Sequence, residues 1–164
     1  MTVKIHDNYL PADYFKSIAD TMTSDQFPWF IASGVNHADD DQRQFIHIFY
    51  RANLANSGYF DMLQPLLDGL MTTSLIRVKA NLTTRTDKII RHGLHRDQEF
   101  KCKIGILYIN TNDGYTEFED GTIVESVANR LVIFDNGLRH GGTTCTDAHE
   151  RIVLNINFME RVSV

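Results

Sequence analysis

The stretch Glu150–Glu160 reads ERIVLNINFME, and its alternation decides the fold. Successive side chains of a strand point to opposite faces. Arg151, Val153, Asn155 and Asn157 therefore share one face, and Ile152, Leu154, Ile156 and Phe158 share the other. The second row is wholly apolar and is expected to pack beneath other elements. The first row mixes a cation, two amides and a valine. In a one-sided sheet it would face water; in a jelly roll it would face a polar interior.

Upstream of this strand, from Ser74 onward, the sequence keeps a period of two. The expected strands are 74–82, 88–97, 101–110, 115–119, 121–127, 130–135, 140–145 and 150–160. Turn signals separate them: Asn112-Asp113-Gly114, Asp120-Gly121, Asn136-Gly137 and Gly141-Gly142. About eight short strands at this spacing indicate a sandwich or barrel of jelly-roll type.

The first part of the chain reads differently. Pro11 opens a helix that runs to about Met22, with Tyr14, Phe15, Ile18 and Met22 at helical spacing. A second helix is expected from Tyr59 to Met71, with Pro65 kinking or delaying it. The aromatic run 27–31 and the segment 44–51 (QFIHIFYR) read as strands, with a polar loop at 34–44 between them. The expected architecture is mainly β. A helical support over about 1–73 covers one face of a jelly-roll core, a double-stranded β-helix, over about 74–160. The whole of 1–164 is expected to form one domain, since no linker, repeat or low-complexity segment interrupts it.

Composition narrows the function. Of 164 residues, 43% are hydrophobic and 23% charged, as in ordinary globular proteins. A net charge of −5 gives no global field for nucleic acid. Arg77, Lys79, Arg85, Lys88, Arg91, Arg96, Lys101 and Lys103 nevertheless cluster in one stretch and leave room for a local basic groove. No run of 18 apolar residues predicts a membrane span. No secretory signal is read at the start, so a cytoplasmic location is expected. The two cysteines, Cys102 and Cys145, are expected to be buried free thiols.

His95 and Asp97 stand two apart in HRD and would point the same way from a strand. His140 follows beside a turn. Two imidazoles and a carboxylate on one face of an octahedral metal leave three positions open, the pattern of non-haem iron(II) sites. Arg151 lies on the next strand, on the polar face. Its planar guanidinium can hold a carboxylate through two parallel hydrogen bonds. His92 would face away from His95 in a strand, and Arg96 away from the metal.

The order HRD, His140, Arg151 resembles the 2-oxoglutarate- and iron(II)-dependent dioxygenases, in particular their prolyl-hydroxylase-like branch. The resemblance extends from about Ser74 to Glu160. It includes LYIN (Leu107–Asn110), GYTEF (Gly114–Phe118), RLVIFD (Arg130–Asp135) and RHGG (Arg139–Gly142). The chain is also similar to the small oxygenases of this family encoded by marine bacteriophages. The resemblance implies iron(II) on His95, Asp97 and His140. It implies 2-oxoglutarate on Arg151, assisted by the Tyr108 hydroxyl and by Asn155, with Asn81 facing co-substrate or substrate. With O2, the implied reaction hydroxylates a C–H bond and converts 2-oxoglutarate to succinate. The sequence departs from the family in a longer connection from Asn81 to His95, which lacks the usual tyrosine. It departs again in Gly114-Tyr115, where a Gly-Gly pair is usual.

A peptidyl proline or another protein side chain is the implied substrate, with a free amino acid or small metabolite as the alternative. Arg77, Lys79 and Arg91 are candidates for a substrate entrance, and the loops 34–44 and 83–88 for closing over it. A non-catalytic cupin-like module that binds a metal or small acid is the rival reading. A zinc hydrolase is disfavoured because no general base is identified.

Overall fold

The computed structural model describes residues 2–35 and 43–161. The acidic triplet Asp39–Asp41, at the centre of the polar loop, lies outside the described residues. Chain order begins with β1 (Lys4–His6), α1 (Ala12–Thr23), β2 (Phe30–Ala32), β3 (Gln44–Arg51) and β4 (Leu54–Ala55). A 3₁₀ turn (Phe60–Leu63) leads into α2 (Gln64–Gly69). Then come β5 (Thr72–Thr84), β6 (Lys103–Tyr108), β7 (Tyr115–Phe118), β8 (Ile123–Glu125), β9 (Leu131–Asp135), β10 (His140–Gly142) and β11 (Glu150–Glu160).

The expected second helix is split. Pro65 has no N–H for an interior turn, so the α-helix starts beside it and the residues before it form the 3₁₀ turn. The first helix is capped by Pro11 and buries Ile18 and Met22, as the apolar spacing requires.

A large sheet runs β1-β9-β6-β11-β5-β3-β2, with β4 paired to β3. A smaller sheet runs β10-β7-β8. The two sheets give the jelly roll, with β11 central in the larger one. The rows of β11 divide as the alternation dictates. Ile152, Leu154, Ile156 and Phe158 join Ile18, Met22, Leu63, Leu66 and Leu70 in a core between the large sheet and the helices. Ile104, Ile106, Tyr108, Phe118, Val124, Phe134 and Val153 form a second core between the sheets. Each core excludes water from one face of the same sheet, which makes β11 rigid along most of its length.

One expected strand is absent. Residues 88–97 carry only two isolated bridges, Arg91 to Thr143 and His95 to His140. They take the place of a fourth strand beside β10. Gly93 weakens the segment as a strand. Gly141 and Gly142, expected as a turn, instead belong to β10.

The loop 83–88 is tied down. Arg85 N–H donates to His149 O at 2.9 Å and Thr86 N–H to Cys145 O at 3.0 Å. Both cysteines are buried and free. Among the described residues no helix is long and apolar enough to cross a membrane.

Candidate metal centre

His95 and His140 exchange both backbone hydrogen bonds: His95 N–H to His140 O at 2.9 Å, and His140 N–H to His95 O at 3.0 Å. This pairing, rather than strand parity, brings the segment 92–97 to β10. It requires a close backbone approach at Gly141. A Cβ there would lie 2.6 Å from His92 O, nearer than real contacts allow. Beyond His95, Asn136 fixes the chain. Its Oδ1 accepts from the N–H groups of Asp97 (3.1 Å) and Gln98 (3.2 Å). Its Nδ2 donates to Gln98 O and Phe100 O. Read from sequence, Asn136 was only half of a turn signal.

One ligand atom from each of His95, Asp97 and His140 lies within 4.8 Å of the others. His95 Nδ1 is 3.3 Å from Gly93 O, and its Nε2 is 3.5 Å from Asp97 Oδ1. That arrangement directs Nε2 towards the shared centre. The His140 ring packs 4.8 Å from the Phe134 ring and 4.7 Å from the His95 ring. Burial lowers the His140 pKa to about 4, so the imidazole is neutral at pH 7. Its buried Nδ1 has no hydrogen-bond partner among the described residues. Burial alone would raise the Asp97 pKa. The His95 hydrogen bond, the charges of Arg77 and His140 and the Asn155 hydrogen bond outweigh it and hold the carboxyl well below its usual range.

Four side chains wrap Asp97. Asn155 Nδ2 and Asn157 Nδ2 each donate to Oδ2 at 2.9 Å. Arg77 lies 3.1 Å from Oδ1, and His95 completes the set. Asn157 Oδ1 in turn accepts from Gln98 Nε2 at 2.8 Å. The resemblance gave Asn155 a different task, sharing the co-substrate carboxylate with Arg151. Four residues separate them along β11, about 13 Å of strand. In this structure the Asn155 amide donates to the Asp97 carboxylate.

At the other end of the row, Arg151 is 5% exposed. Its Nε donates to Ser126 Oγ at 2.8 Å and a terminal nitrogen to Thr116 Oγ1 at 3.1 Å. The guanidinium carbon lies 5.5 Å from the centroid of the Tyr108 ring. Among the described residues no carboxylate pairs with Arg151. Burial lowers its pKa, yet a guanidinium keeps its charge. Gly114 leaves the needed room: a Cβ there would sit 2.7 Å from Arg151 Cδ.

Tyr108, expected to assist Arg151, packs its ring beside the guanidinium. Its hydroxyl donates to Thr116 Oγ1 at 2.8 Å, and the residue is fully buried behind the cavity wall. Thr116 itself lines the cavity. The sequence signal for Thr116 was its place in GYTEF, which drew attention to the glycine and not to the threonine.

His95, Asp97, His140 and Arg151 line one cavity of about 70 Å³, together with Lys79, Asn81, Thr83, Thr116, Val153 and Asn155. Asn81 Oδ1 and Thr83 Oγ1 are buried there without a hydrogen-bond partner among the described residues. His92, expected to turn away, also lines the cavity, because its segment is not a regular strand. The three basic candidates separate. Lys79 lines the cavity, Arg77 is committed to Asp97, and Arg91 pairs with the buried Glu117 away from it. Arg96, exposed, donates to Gly137 O.

Two imidazoles and one oriented carboxylate, with a buried imidazole nitrogen lacking a protein partner, fit a divalent transition metal with open positions. A buried cation without a counter-ion, in the same cavity, fits a small anion.

No protein-family model matches the sequence. No curated protein matches it either. Solved structures do. A prolyl-4-hydroxylase from Pseudomonas putida is 16% identical, with 96% of this chain and 92% of that one covered and a TM-score of 0.69. An oxidoreductase of the 2OG-Fe(II) oxygenase family from Burkholderia pseudomallei is 14% identical, with 99% and 87% covered and a TM-score of 0.71. A prolyl hydroxylase from Trichoplax adhaerens, in complex with a peptide fragment of the hypoxia inducible factor oxygen degradation domain, is 11% identical. There 96% of this chain and 83% of that one are covered, with a TM-score of 0.68. At these identities the likeness is one of fold: the chain has the jelly roll of the prolyl-hydroxylase-like oxygenases.

Proposed function

We propose that this chain is a 2-oxoglutarate-dependent iron(II) oxygenase that hydroxylates a C–H bond. One observation carries the reading: a buried guanidinium, with no acid beside it among the described residues, shares a cavity with a two-histidine, one-aspartate cluster. His95, Asp97 and His140 would hold iron(II), and Arg151 the distal carboxylate of 2-oxoglutarate. When bound, iron(II) with 2-oxoglutarate and O2 supplies the oxidising power. One oxygen atom goes into the substrate C–H bond and the other into succinate, with CO2 released.

The chain's own residues do the positioning. Arg151 supplies a cation that is already desolvated, so the arriving carboxylate meets little competition from water. Ser126, Thr116 and the Tyr108 ring fix the guanidinium plane. Thr116 can turn its hydroxyl proton to the same carboxylate, since its oxygen already accepts from Tyr108 and Arg151. Asn155, Asn157 and Arg77 fix the Asp97 carboxylate, so that one orientation is presented to the metal. The two apolar cores keep bulk water from both sides of β11.

The resemblance implies a peptidyl substrate, as in the Trichoplax complex, with a free amino acid or small metabolite as the alternative, and this chain's own cavity residues decide between them. The test is anaerobic addition of iron(II) and 2-oxoglutarate. A weak visible charge-transfer band is expected, together with succinate release once O2 is admitted. A folded protein that gives neither would be a binding module of the same fold.

A further inference from the structure

Lys79 sits on β5 in register with Asn155 and lines the cavity beside Asp97. Among the described residues it makes no ion pair. Its neighbour Arg77, two residues away on the same strand, is taken by Asp97. Burial, and then the charge of Arg77, lowers the Lys79 pKa to about 8, against the pull of Asp97. An ammonium held this way is poorly solvated and poorly paired, a cost that an incoming anion offsets.

The cavity's charges point the same way. Among the described residues Asp97 is its only acidic lining residue. Lys79 and Arg151 line the same cavity, and Arg77 pairs with Asp97. A divalent metal and a dianionic co-substrate cancel one another and leave that surplus of cations unchanged. Arg151 is claimed by the co-substrate's distal carboxylate. Lys79 cannot share it: β5 pairs Thr83 with Arg151 and Lys79 with Asn155, four residues or about 13 Å apart. Between these ends, Asn81 offers a buried Oδ1 with no donor among the described residues. A cation and an unmet acceptor two residues apart on one face suit a ligand that carries an anion and a nearby N–H donor.

We infer that the substrate is a small molecule with a free carboxylate, bound by Lys79, with a donor group for Asn81. A free α-amino acid has this pattern, whereas a residue inside a peptide lacks the carboxylate. The inference rests on the iron and 2-oxoglutarate reading above. It assigns Lys79 to substrate selection rather than to the co-substrate.

The test uses the protein loaded anaerobically with iron(II) and 2-oxoglutarate. Two probe pools are titrated against its visible band: the free L-amino acids, and the same amino acids as C-terminal amides. The free pool is expected to perturb the band at concentrations at least tenfold lower than the amide pool. Lys79→Met should erase that preference while leaving the half-saturating 2-oxoglutarate concentration within about twofold; Lys79→Arg should retain the preference. Equal response to both pools, response to neither, or a preference that survives in Lys79→Met overturns the inference. So does a Lys79→Met protein that loses the 2-oxoglutarate band, since Lys79 would then serve the co-substrate. A wild-type protein without that band fails at the earlier step. A wild-type band with no acid preference fails at this one alone.

Discussion

The two ends of the polar row on β11 solve opposite problems. Around Asp97 a carboxylate is surrounded by donors: two amides, a guanidinium and an imidazole. Around Arg151 a cation is surrounded by two hydroxyls and a phenol ring, with no acid among the described residues. The first end is electrostatically complete before anything binds. The second is complete only when an anion arrives. Burial of an unpaired charge costs several kcal/mol, so the Arg151 end stores a demand for ligand, while the Asp97 end stores an orientation.

The sharpest way to break this contrast is to remove a ligand. Asp97→Ala or His140→Ala should abolish iron-dependent succinate release; retained turnover in either variant defeats the metal assignment. Next comes Arg151→Met. It removes the partner of a buried carboxylate, at about 2–5 kcal/mol, and should raise the 2-oxoglutarate requirement by roughly 30-fold or more. The same substitution removes an uncompensated charge, so the thermal midpoint of the ligand-free protein should hold or rise. A falling midpoint with unchanged 2-oxoglutarate dependence would make Arg151 structural.

A smaller effect is expected from Asn157→Ala. Loss of one orienting donor should weaken iron(II) affinity by about 10- to 100-fold and leave the 2-oxoglutarate requirement at fixed bound iron unchanged. Equal damage to both would erase the distinction between the two ends.

The smallest effect concerns Lys79 in the ligand-free protein. Its pKa is about 8 when folded, against 10.5 as the reference value. Below pH 8 both states hold the proton, and folding bears the full cost of burying the ammonium. As pH climbs from about 8 to 10.5 the unfolded state holds more protons, so stability should rise. Lys79→Met should therefore stabilise the fold at pH 7, by something on the order of 1–3 kcal/mol, and the advantage should shrink over that pH interval. Urea unfolding at pH 7 and pH 10 measures it, and a difference independent of pH would count against the buried ammonium.

The sequence was most legible where one periodicity ran without interruption. β11 and β3 have the bounds that alternation predicted, Glu150–Glu160 and Gln44–Arg51. It was least legible at 88–97, where an alternating pattern did not become a strand. Period-two reading counts side chains, whereas that segment is held by contacts its own sequence does not contain: the bare backbone of Gly141 and the amide of Asn136. The same gap explains Tyr108 and Asn155. Strand parity put Asn155 on the interior face and the resemblance gave Tyr108 its task, but which neighbour meets each polar atom depends on segments from elsewhere in the chain, Asp97 for the one and Thr116 for the other.

By itself, then, the sequence determined the face on which each β11 side chain lies and the residue types available for chemistry, because backbone pleating imposes both locally. Tertiary structure alone decided how those types are divided. It bound Arg77 to Asp97, sent Arg91 to Glu117 and left Arg151 and Lys79 without acids of their own among the described residues. Charge pairing is a matter of distance and burial, and both are set only when separate strands pack together.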